Sequence, residues 1–272
     1  LSSVISIAAF GFGLIVGSFL NVVIARMATD ESLTGRSHCP TCRTQLVWYE
    51  LIPVLSWIAL RGKCRSCAKS ISFQYPLVEL ATAVGFLILA QTPLTFPLLL
   101  IAWTLYALCI AILVFDLYYT LIPDAWSYPL AALSLVYGYL TLSGTYSIPL
   151  ILVAGPLAAL PLFGLWAASR GAWMGFGDVK LALALGWILG PIIGVSAVFF
   201  GFVIGAVVSV GILLPLPYLV SFAQKMGIRL GNSASPFTMK SEVPFGPFLI
   251  ASLFILWYAT LFEIYIPFLM FV

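Results

Sequence analysis

Residues 97–115 read PLLLIAWTLYALCIAILVF, without a single charge, and the next residue is Asp116. A hydrocarbon core about 30 Å thick is crossed by a helix of about 20 residues, which this run supplies. It lacks the period-2 alternation of a barrel strand, so a helix is the better reading. Working outward, further apolar stretches occupy 4–25, 77–91, 125–142, 147–168, 179–190, 192–217 and 246–270. The combined run 179–217 is too long for one span, and Gly190-Pro191 in its middle is a turn signal, so two helices meet there. Eight spans result, the sixth being the shortest.

Composition agrees. Of 272 residues, 62% are hydrophobic and 8% are charged, whereas a soluble domain is about a quarter charged. A soluble globule and a disordered chain are both excluded. The net charge of +3 is too small to suggest nucleic acid as a partner; the lipid bilayer is the expected one.

The few basic residues indicate orientation. Arg26, Arg36, Arg43, Arg61, Lys63, Arg65 and Lys69 fall between spans one and two. Arg170 and Lys180 flank the start of span six, and Lys225, Arg229 and Lys240 lie between spans seven and eight. With eight spans, every one of them lands on the same side, which the positive-inside rule makes cytoplasmic. Both termini are then outside. No basic residue precedes span one and Arg26 follows it, so an uncleaved anchor is expected rather than a signal peptide. The chain starts at Leu1 rather than Met, and a few residues before it are expected. Two polar segments, 26–76 and 218–245, are predicted to be cytoplasmic, the second as a mobile loop. No repeat of 20–50 residues and no low-complexity tract is evident.

Within 26–76, Cys39-Pro-Thr-Cys42 and Cys64-Arg-Ser-Cys67 form two C-x2-C pairs. Each pair can present two thiolates to one metal, and four thiolates close a tetrahedral structural zinc site without an open position for catalysis. A reducing compartment disfavours disulfides. A segment this small also needs a metal to hold it. His38 adjoins the first pair, but the ligand set is complete without it. Cys109, within span three, reads as a small buried hydrophobe.

Acidic residues gather at membrane ends: Glu79, Asp116, Asp124, Asp178 and Glu263. An ionisable group at that depth is a functional hypothesis by default. Asp116 ends span three and Asp178 begins span six in Gly175-Phe-Gly177-Asp178, both at the predicted cytoplasmic face. Two carboxylates at one depth on different helices can converge on one water and share a proton, as in an aspartyl-protease dyad. The competing reading makes them helix caps or salt-bridge partners of Lys180 and Arg170. Gly175 and Gly177 would let another backbone come close. Asp124, after Pro123, is expected to N-cap the fourth span. Glu79 either caps span two or lines the mouth of the site. Glu263 is expected to snorkel at the outer end of span eight.

The sequence closely resembles the bacterial type IV prepilin peptidases, bifunctional leader peptidases and N-methyltransferases among the GxGD intramembrane aspartyl proteases. The resemblance runs through Gly17-Ser-Phe-Leu-Asn21-Val-Val23, the cysteine pairs, Tyr75-Pro-Leu-Val-Glu79-Leu-Ala-Thr82, the Asp116–Asp124 segment, Gly175–Asp178 and Pro244-Phe-Gly246-Pro247. It implies that Asp116 and Asp178 are the catalytic pair, with Gly175, Gly177, Asp124, Lys180 and Glu79 supporting the site. It implies prepilin and pseudopilin substrates with a short basic leader, cut after a glycine at the cytoplasmic face of the bacterial inner membrane. It further implies methylation of the new N-terminus with S-adenosylmethionine, a role associated here with Gly62 and Lys63 beside the zinc segment. No dinucleotide-type glycine motif follows a strand; Gly13/Gly17, Gly186/Gly190 and Gly201/Gly205 read as helix-packing faces.

The predicted architecture is an all-α polytopic membrane protein with a first helix at 1–25. A zinc-knuckle domain follows at 26–76, and a seven-helix aspartyl peptidase domain at 77–272. A proton-coupled transporter would place its carboxylates near the midplane of broken helices rather than at one face. A zinc-knuckle scaffold would leave the GxGD segment without a purpose. A peptidase lacking the methyltransferase activity is the nearest alternative. The oligomeric state is not encoded in any motif.

Overall fold

The computed structural model describes residues 2–213 and 243–264, and every regular element among them is helical. The helices are α1 (Ser2–Ala28), a short α2 (Leu55–Ala59), α3 (Gln74–Leu89), α4 (Phe96–Tyr119), α5 (Asp124–Leu142), α6 (Ile148–Ser169), α7 (Phe176–Leu189), α8 (Pro191–Val208) and α9 (Gly246–Leu261). A 3-10 turn spans Trp48–Leu51, and a π-helical turn, Ser209–Leu213, extends α8. Most of the predicted loop 218–245, with its three basic residues, lies outside the described residues.

Among the described residues, helices occupy all eight predicted apolar segments. Four stretches are long and apolar enough to cross a membrane: Val4–Ala28, Phe96–Tyr119, Ile148–Ser169 and Pro191–Gly211. Gln74–Leu89 and Gly246–Leu261 are apolar but shorter. Gly190 is the break between α7 and α8, with φ +85°, a left-handed value that glycine adopts without strain.

The chain divides into two compact units, Leu1–Phe115 and Asp116–Val272. In the first, α1 and α3 run antiparallel in close contact. A Cβ on Gly13 would lie 2.6 Å from the Ala83 Cα, and one on Gly17 would lie 2.7 Å from the Glu79 Cα. Where lipid is as apolar as leucine, small residues that bring backbones together replace the hydrophobic drive. Asn21 Nδ2 donates to the Tyr75 carbonyl at 3.0 Å on the same seam. Trp103 of α4 stacks on Phe86 at 5.0 Å, and the Tyr106 hydroxyl donates to the Ala81 carbonyl.

Arg26, read from sequence as an orientation marker, is buried at the end of α1. Its guanidinium donates to the carbonyls of Ser32, Thr34, Gly35 and Arg36 at 3.0–3.3 Å. It therefore gathers the loop that leads into the cysteine segment.

In the second unit α7 is the central helix, packed by α5, α6, α8 and α9. It is buried on most of its faces, from Asp178 to Leu189, as a helix apolar all round should be. Gly186 lies against the backbone of Ala154 and Gly155 in α6, while Gly194 of α8 lies against Gly186 itself. Gly201 and Gly205 receive Leu249 and Phe248 of α9, so that pair is a packing face as predicted. Gly190 is not; it forms the turn.

Candidate active site and metal centre

Asp116 lies in the last turn of α4, and Asp178 in the first turn of α7. Both are buried. They are close enough for the Asp116 charge to act on Asp178. Among the described residues neither is in a salt bridge. Asp116 Oδ2 is buried without a hydrogen-bond partner, an arrangement that costs stability unless something else uses the atom.

The surrounding backbone holds them there. Asp116 accepts from the Gly246 N–H at the start of α9. A Cβ on Gly246 would lie 2.5 Å from Asp116 Oδ2, so only glycine fits. Ile122, in the link between α4 and α5, fills the space beside Gly177, where a Cβ would meet the Ile122 Cβ at 2.8 Å. Its Cδ1 also lies 3.4 Å from the position a Gly246 Cβ would take. Four separate stretches thus converge: the end of α4, the 120–123 link, the start of α7 and the start of α9. Gly246 and Ile122 were not singled out as site residues from sequence; the Pro244–Pro247 motif was the available signal for the first.

Gly175 differs from Gly177. A Cβ on it would meet only the Gly177 N at 3.9 Å. The chain itself does not require glycine at 175, and the gap faces outward.

The salt-bridge reading of Asp178 is not what the structure contains. Lys180 pairs with Asp124 instead, and its ammonium lies 5.1 Å from the Tyr128 ring and 5.9 Å from that of Phe176. Asp124 does not N-cap α5: the cap position is Pro123, Asp124 is the first helical residue, and its carboxylate is committed to Lys180. The Lys180 side chain is 10% exposed and that of Asp124 is 64% exposed. Asp124→Asn strands a buried ammonium, whereas Lys180→Met leaves only a solvated carboxylate. We expect the first to lose about 2 kcal/mol, less than a fully buried pair would because Asp124 is open to water, and the second to lose less. Thermal melting in detergent reads the order; equal melting temperatures would refute it.

Glu79 and the cysteines belong to the first unit. Glu79 lies beyond the first turn of α3 and does not cap it. Its Oε2 accepts from the Val54 N–H at 2.7 Å, and the Ser18 hydroxyl also donates to it.

Cys39, Cys42, Cys64 and Cys67 bring their Sγ atoms within 4.8 Å of one another, with two pairs at 4.0 Å. A tetrahedron with Zn–S bonds of about 2.3 Å has edges of about 3.8 Å, so the four thiols fit zinc. The two halves repeat each other. Cys39 N–H donates to the Thr44 carbonyl and Arg43 N–H to that of Cys39; Cys64 N–H donates to Lys69 and Ala68 N–H to Cys64, all at 2.8–3.0 Å. Arg43 and Ala68 both have positive φ, and bridges His38–Gln45 and Lys63–Ser70 close both turns. This duplication does not show as a sequence repeat because it resides in the backbone. His38 turns away, with its Nε2 3.1 Å from the Arg43 guanidinium.

Hydrogen bonds bias two of the thiols, Cys42 and Cys64, toward thiolate, while Cys67 is held the other way, with burial and its cysteine neighbours raising it. The Thr44 hydroxyl, 3.3 Å away, and its backbone lower Cys42 to about 6. Backbone N–H groups of Cys67 and Ser66 lower Cys64.

Gly62 has φ +64° and its open side is closed by Trp57, whose Cζ2 would lie 2.8 Å from a Cβ. Lys63 is exposed and its backbone bridges to Ser70. Both serve the second knuckle's turn. Cys109 is fully buried in α4, as a small hydrophobe.

Comparison with known proteins also finds two regions in the chain. Residues 12–92 match the family described as "Bacterial Peptidase A24 N-terminal domain", and residues 103–210 match the "Type IV leader peptidase family". A Prepilin leader peptidase/N-methyltransferase of Myxococcus xanthus is 41% identical over 182 residues, 65% of this chain and 48% of that protein. The protein of the same name from Aeromonas salmonicida is 32% identical over 279 residues, covering 88% of this chain and 86% of the relative. That from Bacillus subtilis is 35% identical over 230 residues, or 79% and 89%. No solved structure matches the chain. With both family regions present in order and a relative matched over most of its length, the chain belongs to the type IV leader peptidase family.

Proposed function

We propose that the protein is an intramembrane aspartic endopeptidase that removes the leader of type IV prepilins and pseudopilins, with Asp116 and Asp178 as the catalytic pair. The observation that carries this is two buried carboxylates from different helices, within reach of each other's charge and without a counter-cation among the described residues. One carboxylate accepts a proton from the attacking water. The other, protonated because two such close charges do not both form cheaply, gives its proton to the leaving amide nitrogen. The Gly246 N–H fixes Asp116, and the gap at Gly175 leaves room for an extended substrate backbone.

In this reading all eight apolar helices span the inner membrane, both termini lie outside, and the dyad and zinc segment face the cytoplasm. Four cysteine thiolates would hold a zinc ion that supplies folding energy rather than chemistry. N-methylation of the new N-terminus follows from the names of the relatives; S-adenosylmethionine would supply an electrophilic methyl group for it.

The test is purified protein in detergent with a synthetic prepilin segment: basic leader, glycine at the junction, apolar continuation. Cleavage after the glycine is expected, and an intact peptide refutes the reading. With S-adenosylmethionine added, mass spectrometry of the product should show a gain of one methylene; its absence would leave a peptidase alone. Gly246→Ala pushes directly on Asp116 Oδ2, and a displacement of about 1 Å is enough to lower kcat about 100-fold. The same assay at saturating peptide reads it, and an undiminished kcat would show that Gly246 does not set the carboxylate's position.

A further inference from the structure

The stretch Val47–Leu60, VWYELIPVLSWIAL, is almost wholly apolar although it lies within the polar segment between α1 and α3. It was too short and too broken to register as a span. In the structure its 3-10 turn and α2 contain no buried residue at all. Trp48 is 76% exposed, Leu55 64% and Ile58 59%, and Tyr49, Leu51 and Ile52 are exposed with them. Only Trp57 turns inward, packing on Gly62 and Phe73. Surface apolar residues are unremarkable singly; six within eleven positions of one short segment are not.

The segment's depth is fixed by Glu79. That carboxylate holds the Val54 N–H, and the Glu79 backbone packs on Gly17, well inside α1 rather than at its end. Since Val4–Ala28 is long and apolar enough to span, Val54 lies alongside a membrane helix, at the level of Gly17 and Ser18. The chain around it adopts φ +61° at Val54, unusual for a β-branched residue.

Charge distinguishes between occupants. Arg61, Lys63, Arg65 and Lys69 follow immediately and are exposed, and the Arg65 guanidinium bonds to the Tyr49 hydroxyl and lies 5.4 Å over its ring. The segment's one acid, Glu50, is tied back to the Val47 N–H. A basic fringe would repel a basic leader peptide and attracts anionic headgroups. Apolar and aromatic side chains bordered by Lys and Arg are the composition of elements lying in the membrane interface.

We infer that Trp48–Ile58 is a monotopic interfacial element, seated in the headgroup region of an anionic bilayer with Arg61, Lys63, Arg65 and Lys69 on the lipid phosphates. It lays the zinc knuckles against the membrane surface rather than leaving them on a free stalk.

The full chain is placed in nanodiscs containing phosphatidylglycerol with a photoreactive diazirine acyl chain, and labelled peptides are mapped by mass spectrometry. Lipid adducts within 48–58 are expected, and they should fall when phosphatidylcholine carries the probe instead. Labelling confined to the long helices would overturn the inference, as would cross-links joining two copies through 48–58. Equal labelling by both lipids would overturn the anionic component. Trp48→Phe in nanodiscs of brominated lipid gives an independent reading: the fluorescence lost to quenching in the wild type should shrink in the variant. An unchanged loss, with zinc content intact in the variant, places Trp48 in water.

Discussion

Asp116→Asn and Asp178→Asn are each expected to lose leader cleavage, with kcat falling about 10³-fold or more, while helix content and zinc content should stay unchanged. The amide keeps the size of the carboxylate but takes no proton from water and delivers none to a leaving amine, and general acid–base catalysis commonly contributes about 10²–10⁴-fold. Either loss should nearly equal the double loss, because the two residues act as one unit. The melting temperature provides a second reading. Each variant removes one of two facing buried carboxylates, so melting is expected at the wild-type temperature or above it, as happens where function and stability oppose each other. The measurement is cleavage of a prepilin peptide at saturating concentration. A variant that cuts at the wild-type rate removes that residue from the dyad.

Removing the metal should have an effect of similar size on a different observable. Structural zinc in small Cys-rich segments binds with an apparent free energy of about 10–16 kcal/mol at neutral pH. The segment from Ser37 to Ile71 has little other core: apart from the cysteines none of its apolar side chains is fully buried, and Trp57 is the main one that packs inward. Stripping zinc with a strong chelator, or Cys64→Ala, should abolish hydrogen-exchange protection at the paired amides of Cys39, Arg43, Cys64 and Ala68. The amides of α7 and α9 should stay protected. Retained protection at the knuckles after complete metal removal would mean that they fold without zinc. Acidification acts in the same direction. Zinc needs thiolates, so protons compete with it for the four sulfurs, and zinc occupancy should fall as the pH is lowered and recover as it is raised.

Much of this was legible in the sequence, for identifiable reasons. Charge-free runs become helices wherever they occur, and Gly190-Pro191 breaks the 179–217 run because a Pro that begins a helix follows a Gly that can take positive φ. Cys-x2-Cys twice is a local pattern whose partner set is obvious once the metal is considered. What stayed hidden depends on contacts between distant residues. Gly246 against Asp116 joins residues far apart in the chain, and no local pattern announces it. Lys180 looked like a partner for Asp178, yet residues two apart on a helix face different ways, which frees Lys180 for Asp124. Asp124 itself follows the rule for a cap in type and position by one residue, but a buried ammonium nearby competes for it. The apolar run at 47–60 was present in the sequence all along. At fourteen residues, broken by Pro53, it is too short to cross a bilayer, and only its exposure in the fold gives it a meaning.

The shortness of α7 has a bearing on water. Fourteen residues rise about 21 Å, against a hydrocarbon thickness of about 30 Å. With Leu189 level with one surface of the membrane, Asp178 would stop about 13 Å beneath the other. The helix is enclosed by its neighbours, so lipid does not fill the deficit. Hydrolysis consumes a solvent molecule in the one environment that excludes it, and a central helix shorter than the bilayer would spare that molecule part of the descent to the carboxylates. Turnover is therefore expected to fall as the acyl chains of the bilayer lengthen, which cleavage assays in liposomes of graded chain length would read.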